Sequence, residues 1–585
     1  MQGKESLTHR KKGQQRLVDL FRAEQVSLIS GIVDVHFMEF HRAAVEYGIR
    51  MLGTRHEVSS VMVAEAASRM LGRPQVAMAA YGPGVANMVG GVVTAMEERV
   101  PLIVLVSGRG FHTRSVVRQG KYQYWSQIDV FREITKYAAV VQDIRQLDEV
   151  VREAFRQATS GTPGPVYIEV PVDIMWGEYD FPPVLAPEQY RSTVPQPAQE
   201  QLVDEAATLL ARTRMPLILA GQGIHTARGH AELQQLAQLL KCPVVTSFGA
   251  KGALPDNHPQ ALSFGFAGAN EACREADVVL AVGTSIGEPL LCGEPPRWGE
   301  YGEQQWIHVE RNPARLHTNR LADIPLVGDL KAVLPQLTES LEALGPFDPP
   351  PTLADYKQQQ ANWRQQVAES THDHSPIHPG HLMLEVRKAV PDEAVMVRDG
   401  GCTALWELCL YEQRSNDFLW TSHCGHLGSG LPYAIGAQFA AGRDRPVVLI
   451  SGDGALGFQI MDFETAVREQ LPVCIVVNCD NTWGMELMDF YKGPESIVEC
   501  PGVTMAPTRY DQMAIAMGGH GEYVKEATDI APAVTRALAS GKPSIVQVMT
   551  DVNINANTLA LPAVDELLSF YYLDGNQGYG HFEDI

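Results

Sequence analysis

Residues 446–485 read PVVLISGDGALGFQIMDFETAVREQLPVCIVVNCDNTWGM and contain two apolar runs separated by a mixed segment. Both runs are rich in Val and Ile and are bounded by Gly or Pro, which is typical of strands buried on both faces of a parallel sheet. The segment between them has the length of a crossover helix. Similar runs recur along most of the chain, so the sequence predicts an α/β protein with doubly wound parallel sheets.

Two stretches rich in Pro and polar residues, near 179–201 and 344–360, interrupt this rhythm and are predicted to be interdomain linkers. A chain of 585 residues also exceeds what one hydrophobic core usually serves. The expected domains are 12–185, 198–345 and 375–550, with a tail at 551–585. The tail contains Leu, Tyr and Phe, which indicates either a lid over a site or an arm on a neighbouring subunit.

The composition limits the classes of ligand. A formal charge of −22 argues against a nucleic-acid surface, so small molecules are the expected ligands. The nine cysteines form no Cys-x-x-Cys pair, which fits neither a disulfide framework nor a zinc site and favours the cytoplasm. The first residues lack the apolar stretch of a signal peptide, and no run of about 18 apolar residues predicts a membrane span.

Two carboxylates follow the strands of the opening stretch. Asp453 stands between Gly452 and Gly454 where the first run ends, and Asp480 follows the second run, 27 positions further on. A carboxylate that stands between two glycines at the end of a strand, with a second oxygen ligand after the next strand, can bind Mg2+ together with a diphosphate. The predicted ligands are Asp453, Asp480 and the backbone carbonyl of Thr482. A Gly-Asp-Gly alone would indicate only a tight turn.

This stretch resembles the motif of thiamine diphosphate-dependent enzymes, in which Gly-Asp-Gly is followed at the same distance by an Asn. Asp480 takes the place of that Asn and adds a negative charge near the diphosphate. The resemblance implies thiamine diphosphate and Mg2+ as cofactors, bound in a diphosphate-binding domain at 375–550. The further cofactor contacts that it implies are Gly452, Gly454, Ala455, Thr482, Trp483, Gly484 and Met485.

The first domain resembles the pyrimidine-binding domain of the same family, through RHE at 55–57 and YGPGVANMVGGVVTA at 81–95. In that family the Glu contacts the aminopyrimidine ring and promotes removal of the thiazolium C2 proton, a role that falls to Glu57. A Glu that opens a helix is otherwise most often a solvated first-turn carboxylate. The implied cofactor contacts here are Gly82, Pro83 and Asn87. Because this Glu meets the metal motif of another subunit in the family, a homodimer or homotetramer is expected.

Two further segments extend the resemblance. In TSHCGHLGSGLPYAIGAQ, at 421–438, Leu427 and Gly425 match the apolar residue that bends the cofactor and the carbonyl that accepts from its amino group. Residues 219–259 resemble the central domain of acetohydroxyacid synthase, oxalyl-CoA decarboxylase and 2-hydroxyacyl-CoA lyase. That domain binds FAD, ADP, the nucleotide part of CoA or nothing, and the resemblance does not choose among them.

The residues that would select the reaction lie in three places. Tyr122 and Gln123 match Phe-Gln of the synthases and Tyr-Glu of oxalyl-CoA decarboxylase, and are candidate donors to the substrate carbonyl, although an aromatic rim loop is the alternative. Glu486 and Glu495 follow the metal motif and are candidate acid–base groups, with solvent exposure as the alternative. His36 lies at the first strand-to-helix turn, and the remaining histidine candidates are His423 and His426.

Two reactions remain open. The preferred one resembles that of 2-hydroxyacyl-CoA lyase, cleavage of a 2-hydroxyacyl-CoA to a ketone or aldehyde plus formyl-CoA. It is favoured by AKGALPDNHP at 250–259, by Tyr122, by the candidate lid and by Asp489, which stands where synthases have a Trp. The basic segment 107–121 could supply positive charge for CoA. The alternative is a 2-keto acid decarboxylase or carboligase of the acetolactate synthase type.

Overall fold

The computed structural model describes residues 9–114, 116–117, 119–264, 266–490 and 502–554. The chain forms two compact units. Unit one comprises residues 1–194, 421–442 and 459–471, and unit two comprises residues 195–420, 443–458 and 472–585. Among the described helices, none is long and apolar enough to cross a membrane.

The strands are β1 His9–Lys12, β2 Leu28–Gly31, β3 Arg50–Leu52, β4 Gln75–Ala79, β5 Leu102–Gly108, β6 Tyr137–Val140, β7 Pro165–Pro171, β8 Glu178–Phe181, β9 Pro216–Ala220, β10 Val244–Thr246, β11 Ala261–Leu262, β12 Val278–Val282, β13 Gln305–Glu310, β14 Ile324–Val327, β15 Val395–Asp399, β16 Phe418–Leu419, β17 Val447–Gly452, β18 Cys474–Cys479, β19 His520–Val524 and β20 Ser544–Met549.

The helices are α1 Gly13–Ala23, α2 Met38–Glu46, α3 Glu57–Leu71, α4 Pro83–Asn87, α5 Val89–Glu97, α6 Phe111–Arg114, α7 Gln127–Ile134, α8 Leu147–Thr159, α9 Val172–Trp176, α10 Glu200–Arg212, α11 Gly223–Ala227, α12 His230–Leu240, α13 Ala267–Glu275, α14 Leu330–Glu342, α15 Leu353–Thr371, α16 Pro379–Ala389, α17 Cys402–Leu410, α18 Gly430–Ala441, α19 Asp453–Gln459, α20 Phe463–Arg468, α21 Gly484–Phe490, α22 Tyr510–Ala516 and α23 Ile530–Ala539.

Unit one is built on a parallel sheet of six strands in the order β3-β2-β4-β5-β7-β6. Every residue of β4, β5 and β7 is buried, which explains why these strands are apolar throughout rather than alternating. The strand order reverses between β2 and β4, and ligands of such sheets bind beyond the carboxyl ends of the strands at that point. A separate antiparallel pair joins β1 and β8.

Unit two contains two parallel sheets, in the orders β11-β10-β9-β12-β13-β14 and β16-β15-β17-β18-β20-β19. The second has the same topology as the sheet of unit one, with its reversal between β15 and β17. The three helix-flanked parallel sheets confirm the predicted α/β fold. Helix α15 begins at Leu353, so the stretch 344–360 predicted as a linker includes helical residues.

Helix α18 lies in unit one although its sequence precedes the strand of the metal motif. Residues 430–438 of this helix are all buried, as expected for a helix without a polar face. It packs closely on α3, since a Cβ added to Gly436 would lie 2.3 Å from the carbonyl oxygen of Val63. The loop before α18 and the helix that begins with Glu57 therefore belong to one packed unit.

Candidate active site

Glu57 is the first residue of α3 and is partly buried. The amide nitrogen of Asn87 donates to Glu57 Oε2 at 3.0 Å. A Cβ added to Gly84 would lie 3.0 Å from Glu57 Oε1, so the short helix α4 passes directly over the carboxylate. This close approach follows from the turn at Gly82, whose φ of +86° favours glycine. The structure thus brings together Glu57, Pro83 and Asn87, which the resemblance had selected from separate segments.

The segment that carries Tyr122 and Gln123 lies against this turn. Gln127 Oε1 accepts from the backbone nitrogen of Gly82 at 2.7 Å, and Trp125 Nε1 donates to the Gly82 carbonyl at 3.1 Å. Gln123 has a φ of +55°, an unfavourable conformation for a residue with a side chain, and such strain is common at active sites. The side chain of Tyr122 is 78% exposed. Sequence reasoning missed both Trp125 and Gln127, which hold the segment in place.

His36 lies beyond the carboxyl end of β2, in the same unit. Its Nδ1 is 2.7 Å from Asp34 Oδ2, and its ring centroid is 5.3 Å from that of Tyr81. A carboxylate on Nδ1 orients the imidazole and leaves Nε2 as the nitrogen for acid–base chemistry. Because Tyr81 adjoins Gly82, His36 lies on the same rim of the sheet as Glu57 and Gln123.

The two predicted metal ligands follow adjacent strands, β17 and β18. Asp453 is 4% exposed, and its carboxylate accepts from the backbone nitrogens of Gly454 and Asn481, each at 2.8 Å. Asp480 Oδ1 accepts from the backbone nitrogen of Thr482 at 2.9 Å and from its hydroxyl at 2.8 Å. Burial raises the pKa of both carboxyls, and the nearby charge of Asp453 helps to raise that of Asp480 to about 7.

This donor set fits a divalent cation bound to a diphosphate. Asp453 is buried and Asp480 is partly buried, and two such neighbouring carboxylates repel each other unless a cation or a proton compensates them. Oxygen ligands suit Mg2+. In the described part of the chain no three His, Cys, Asp or Glu side chains are grouped as metal ligands. The predicted set, with two carboxylates and the Thr482 carbonyl, therefore leaves coordination positions for phosphate oxygens and water.

The residues beside these ligands are closely packed. A Cβ added to Gly454 would lie 2.9 Å from the ring of Trp483, so a side chain at this position would displace the indole. Ala455 is buried in α19, and Gly484 begins α21. Met485 lies against Gly401, where an added Cβ would be 2.2 Å from its Cγ.

Sequence reasoning missed the turn between β15 and α17. Gly400 has a φ of +107°, and a Cβ placed on it would lie 3.3 Å from the backbone nitrogen of Gly452. Helix α17 begins two residues later at Cys402, so its N-terminal amides face the same edge of the sheet. The signal was present in the sequence, because a Gly-Gly pair directly follows the strand segment VMVRD at 395–399.

The loop at 421–429 is held by its own main chain and by unit one. The backbone nitrogen of Gly425 donates to the Thr421 carbonyl at 3.0 Å, and Leu427 is partly buried. His426 Nδ1 is 2.9 Å from the Leu427 carbonyl oxygen. His423 Nδ1 is 3.6 Å from a carboxylate oxygen of Glu98. Both histidines thus have partners within the protein.

The structure describes the remaining predicted residues only in part. Glu486 lies in the first turn of α21 and is exposed. Asp489 lies in the same helix. Glu495 and residues 555–585, most of the candidate lid, lie outside the described residues.

Comparison with known proteins assigns the chain to a family. Three models of the thiamine pyrophosphate enzyme family match the chain: the N-terminal binding domain at residues 11–131, the central domain at 203–337 and the C-terminal binding domain at 399–548. The chain belongs to the thiamine pyrophosphate enzyme family. Thiamine diphosphate, the same compound under another name, is therefore its indicated cofactor.

Relatives named for different activities align over nearly the whole chain. A probable acetolactate synthase of Mycobacterium bovis is 31% identical over 91% of this chain and 94% of its own length. The 2-hydroxyacyl-CoA lyase 1 of Homo sapiens is 26% identical over 92% and 94%. A sulfoacetaldehyde acetyltransferase of Alcaligenes xylosoxydans xylosoxydans is 28% identical over 92% and 93%. These similarities identify a thiamine diphosphate-dependent enzyme and leave its substrate open.

Proposed function

We propose that this enzyme is a thiamine diphosphate- and Mg2+-dependent lyase that cleaves a 2-hydroxyacyl-CoA to a ketone or aldehyde plus formyl-CoA. The observation that carries the proposal is the apolar and electrically balanced rim at the carboxyl end of β2. Four apolar side chains are exposed there: Ile32, Val33, Val35 and Met38, at 37%, 62%, 70% and 48%. Contiguous exposed apolar side chains mark a binding surface.

The charge pairing at His36 favours a substrate whose reacting end carries no carboxylate, whereas Arg109, beside Tyr122 on the same rim, favours a carboxylate. His36 is paired with Asp34 at 2.7 Å, so this imidazole offers no unpaired positive charge to a substrate carboxylate. A 2-hydroxyacyl thioester offers a hydroxyl, a thioester carbonyl and an apolar chain, and none of these needs a counter-ion. A 2-keto acid would instead need a cation for its carboxylate.

The chain's own residues can be given roles in this cleavage. Thiamine diphosphate, when bound, supplies the carbanion that attacks the thioester carbonyl and the positive ring that accepts charge as the carbon–carbon bond breaks. Glu57 holds the proton exchanged with the aminopyrimidine. His36 Nε2 would take the hydroxyl proton as the aldehyde or ketone leaves and return it to the carbon that becomes the formyl group, and the Gln123 amide would donate to the thioester oxygen. Asp453, Asp480 and the Thr482 carbonyl hold Mg2+.

The segment AKGALPDNHP no longer distinguishes the two reactions. Lys251 Nζ donates to three carbonyls at the C-terminal end of α17, at 2.7 to 2.9 Å. Asp256 exchanges hydrogen bonds with the backbone of Gln413, each at 2.8 Å. These contacts hold the segment against α17 within unit two. The sequence of the segment is therefore explained by its packing and does not require contact with a substrate.

The second candidate is a carboligase or decarboxylase of the acetolactate synthase type. It is favoured by the 31% identity to the probable acetolactate synthase of Mycobacterium bovis. It is also favoured by Arg109, whose guanidinium donates to the Tyr122 carbonyl at 3.1 Å. A guanidinium at this position could also bind the carboxylate of a 2-keto acid. A homodimer or homotetramer belongs to either proposal, because in the family that the first domain resembles, the Glu at the position of Glu57 meets the metal motif of another subunit.

A substrate panel tests the choice. The purified enzyme with thiamine diphosphate and Mg2+ is incubated with 2-hydroxyacyl-CoAs and with 2-keto acids, and formyl-CoA and carbon dioxide are measured. Formyl-CoA without carbon dioxide is expected. Release of carbon dioxide from a 2-keto acid, with a KM raised in Arg109→Gln but not in the exposed control Arg145→Gln, would replace the lyase by the second candidate.

The same purified enzyme can be tested for binding of a nucleotide. Thermal stabilisation by CoA or ADP is expected if the substrate is a CoA thioester, whereas FAD absorbance after purification would favour the synthase lineage.

A further inference from the structure

A buried carboxylate in unit one holds the loop that precedes α18. Glu98 directly follows α5 and is 1% exposed. Its Oε1 accepts from the backbone nitrogens of His423 and Cys424, at 2.7 and 3.0 Å. Its Oε2 accepts from the hydroxyl of Ser422 at 3.2 Å. One side chain thus binds three consecutive residues of a loop more than 300 positions away in the sequence.

The surroundings keep this carboxylate charged. Burial alone would raise the pKa of Glu98, but the hydrogen bonds from His423 and the charge of Arg69 lower it to about 2. Arg69 lies 3.3 Å from Glu98 Oε2 and is stacked over the ring of Tyr433, on α18. A charged acceptor forms stronger hydrogen bonds to backbone amides than a neutral one. The loop is therefore attached to α3 and α5 by a charge-assisted clamp.

The clamp acts on the part of the loop next to the candidate cofactor contacts. Cys424 is followed directly by Gly425, whose φ is +63°, and Leu427 comes two residues later. A residue with positive φ allows the chain to turn sharply, so a displacement at Cys424 would redirect the Gly425 carbonyl. Further along, His426 Nδ1 and the Leu427 carbonyl are 2.9 Å apart, which makes this short turn internally stiff.

We propose that Glu98 is a positioning residue, which sets the Gly425 carbonyl and the Leu427 side chain through its bonds to Ser422, His423 and Cys424. This rests on the proposed role of the loop in holding thiamine diphosphate. Glu98 is 1% exposed, so its action on the cofactor would pass through the loop that it binds. Its function is to remove the freedom of the loop before the cofactor binds, so that binding does not have to order it.

The test replaces Glu98 by Gln, which has the same shape but no charge and only one accepting oxygen. Glu97→Gln is the matched control, because Glu97 is the adjacent residue and is exposed. For Glu98→Gln, a dissociation constant for thiamine diphosphate raised at least about tenfold is expected, measured by quenching of tryptophan fluorescence. At saturating cofactor, the exchange rate of its C2 proton and kcat are expected to fall while KM for substrate stays unchanged. Glu98→Asp, which keeps the charge, is expected to restore part of the affinity.

A second variant keeps the test valid if Glu98→Gln does not fold. Ser422→Ala removes a single hydrogen bond to Glu98, so a smaller loss of cofactor affinity, about two- to fivefold, is expected. If Glu98→Gln folds, a cofactor affinity and a C2 proton exchange rate equal to those of the wild type would overturn the positioning role. If Glu98→Gln does not fold, a wild-type cofactor affinity in Ser422→Ala would overturn it.

Leu427→Ala separates this failure from that of the proposed function. If Leu427→Ala binds the cofactor as tightly as the wild type, the loop does not hold thiamine diphosphate, and both proposals are overturned. If Leu427→Ala weakens binding and Glu98→Gln does not, only the positioning role is overturned.

Discussion

Glu65 offers a test of the electrostatics inside unit one. This residue of α3 is fully buried, its Oε1 accepts from the Tyr433 hydroxyl at 2.6 Å, and Arg69 donates to the same oxygen at 2.9 Å. Its Oε2 has no hydrogen-bond partner among the described residues. Burial raises the pKa of Glu65 to about 7, against the opposing charge of Arg69 and with support from the charge of Glu98.

The sign of the effect on stability follows from this shift. An unfolded chain ionises Glu65 near pH 4.5, whereas the folded protein holds its proton up to about pH 7. The raised pKa therefore stabilises the fold fully below pH 4.5, and this contribution is lost as the pH rises to about 7. At 1.36 kcal/mol per pH unit, the loss amounts to about 3 kcal/mol.

Glu65→Gln removes this titration while keeping an oxygen for Tyr433. Relative to the wild type, the variant is expected to gain up to about 3 kcal/mol between pH 4.5 and pH 8, or roughly 6 to 12 °C in unfolding temperature for a unit of this size. Scanning calorimetry across that range measures it, with the exposed Glu97→Gln as control. Wild-type and Glu65→Gln curves that stay parallel in pH would refute the reasoning.

Three further changes test the site and the packing. Glu57→Gln is expected to lower kcat by at least about 100-fold with the cofactor still bound, measured by turnover and by cofactor titration; unchanged turnover would remove Glu57 from the chemistry. Asp453→Ala is expected to abolish the Mg2+-dependent retention of thiamine diphosphate during dialysis. Asp480→Asn keeps an oxygen ligand for the metal, so this variant is expected to retain the cofactor. Equal retention of the cofactor by both variants would contradict the metal assignment. Gly436→Ala places a Cβ 2.3 Å from the Val63 carbonyl oxygen and is expected to lower the free energy of unfolding by about 1 to 3 kcal/mol, measured by urea denaturation. Equal urea midpoints for the variant and the wild type would contradict this close packing.

The strands, and the positions of Asp453 and Asp480 at the ends of two of them, could be predicted because their signals are local. The apolar runs near residues 102–108, 165–171, 447–452 and 544–549 are all strands in the structure. A strand buried on both faces must be apolar at every position, so its sequence alone identifies it. The spacing between Asp453 and Asp480 is equally local, because it is the length of the helical segment α19–α20 and of β18, which return the chain to the same edge of the sheet.

The sequence by itself therefore determined the fold class, the order of the elements and the residues at the carboxyl ends of the strands. Only the tertiary structure decided which distant side chains hold those residues in place: Glu98 on the loop before Gly425, Lys251 on the end of α17, and Gln127 with Trp125 on the turn at Gly82. A buried charged or polar group can find its partner anywhere in the chain, provided that the partner has the right geometry. Such pairings follow no period in the sequence, since they depend on how the helices pack.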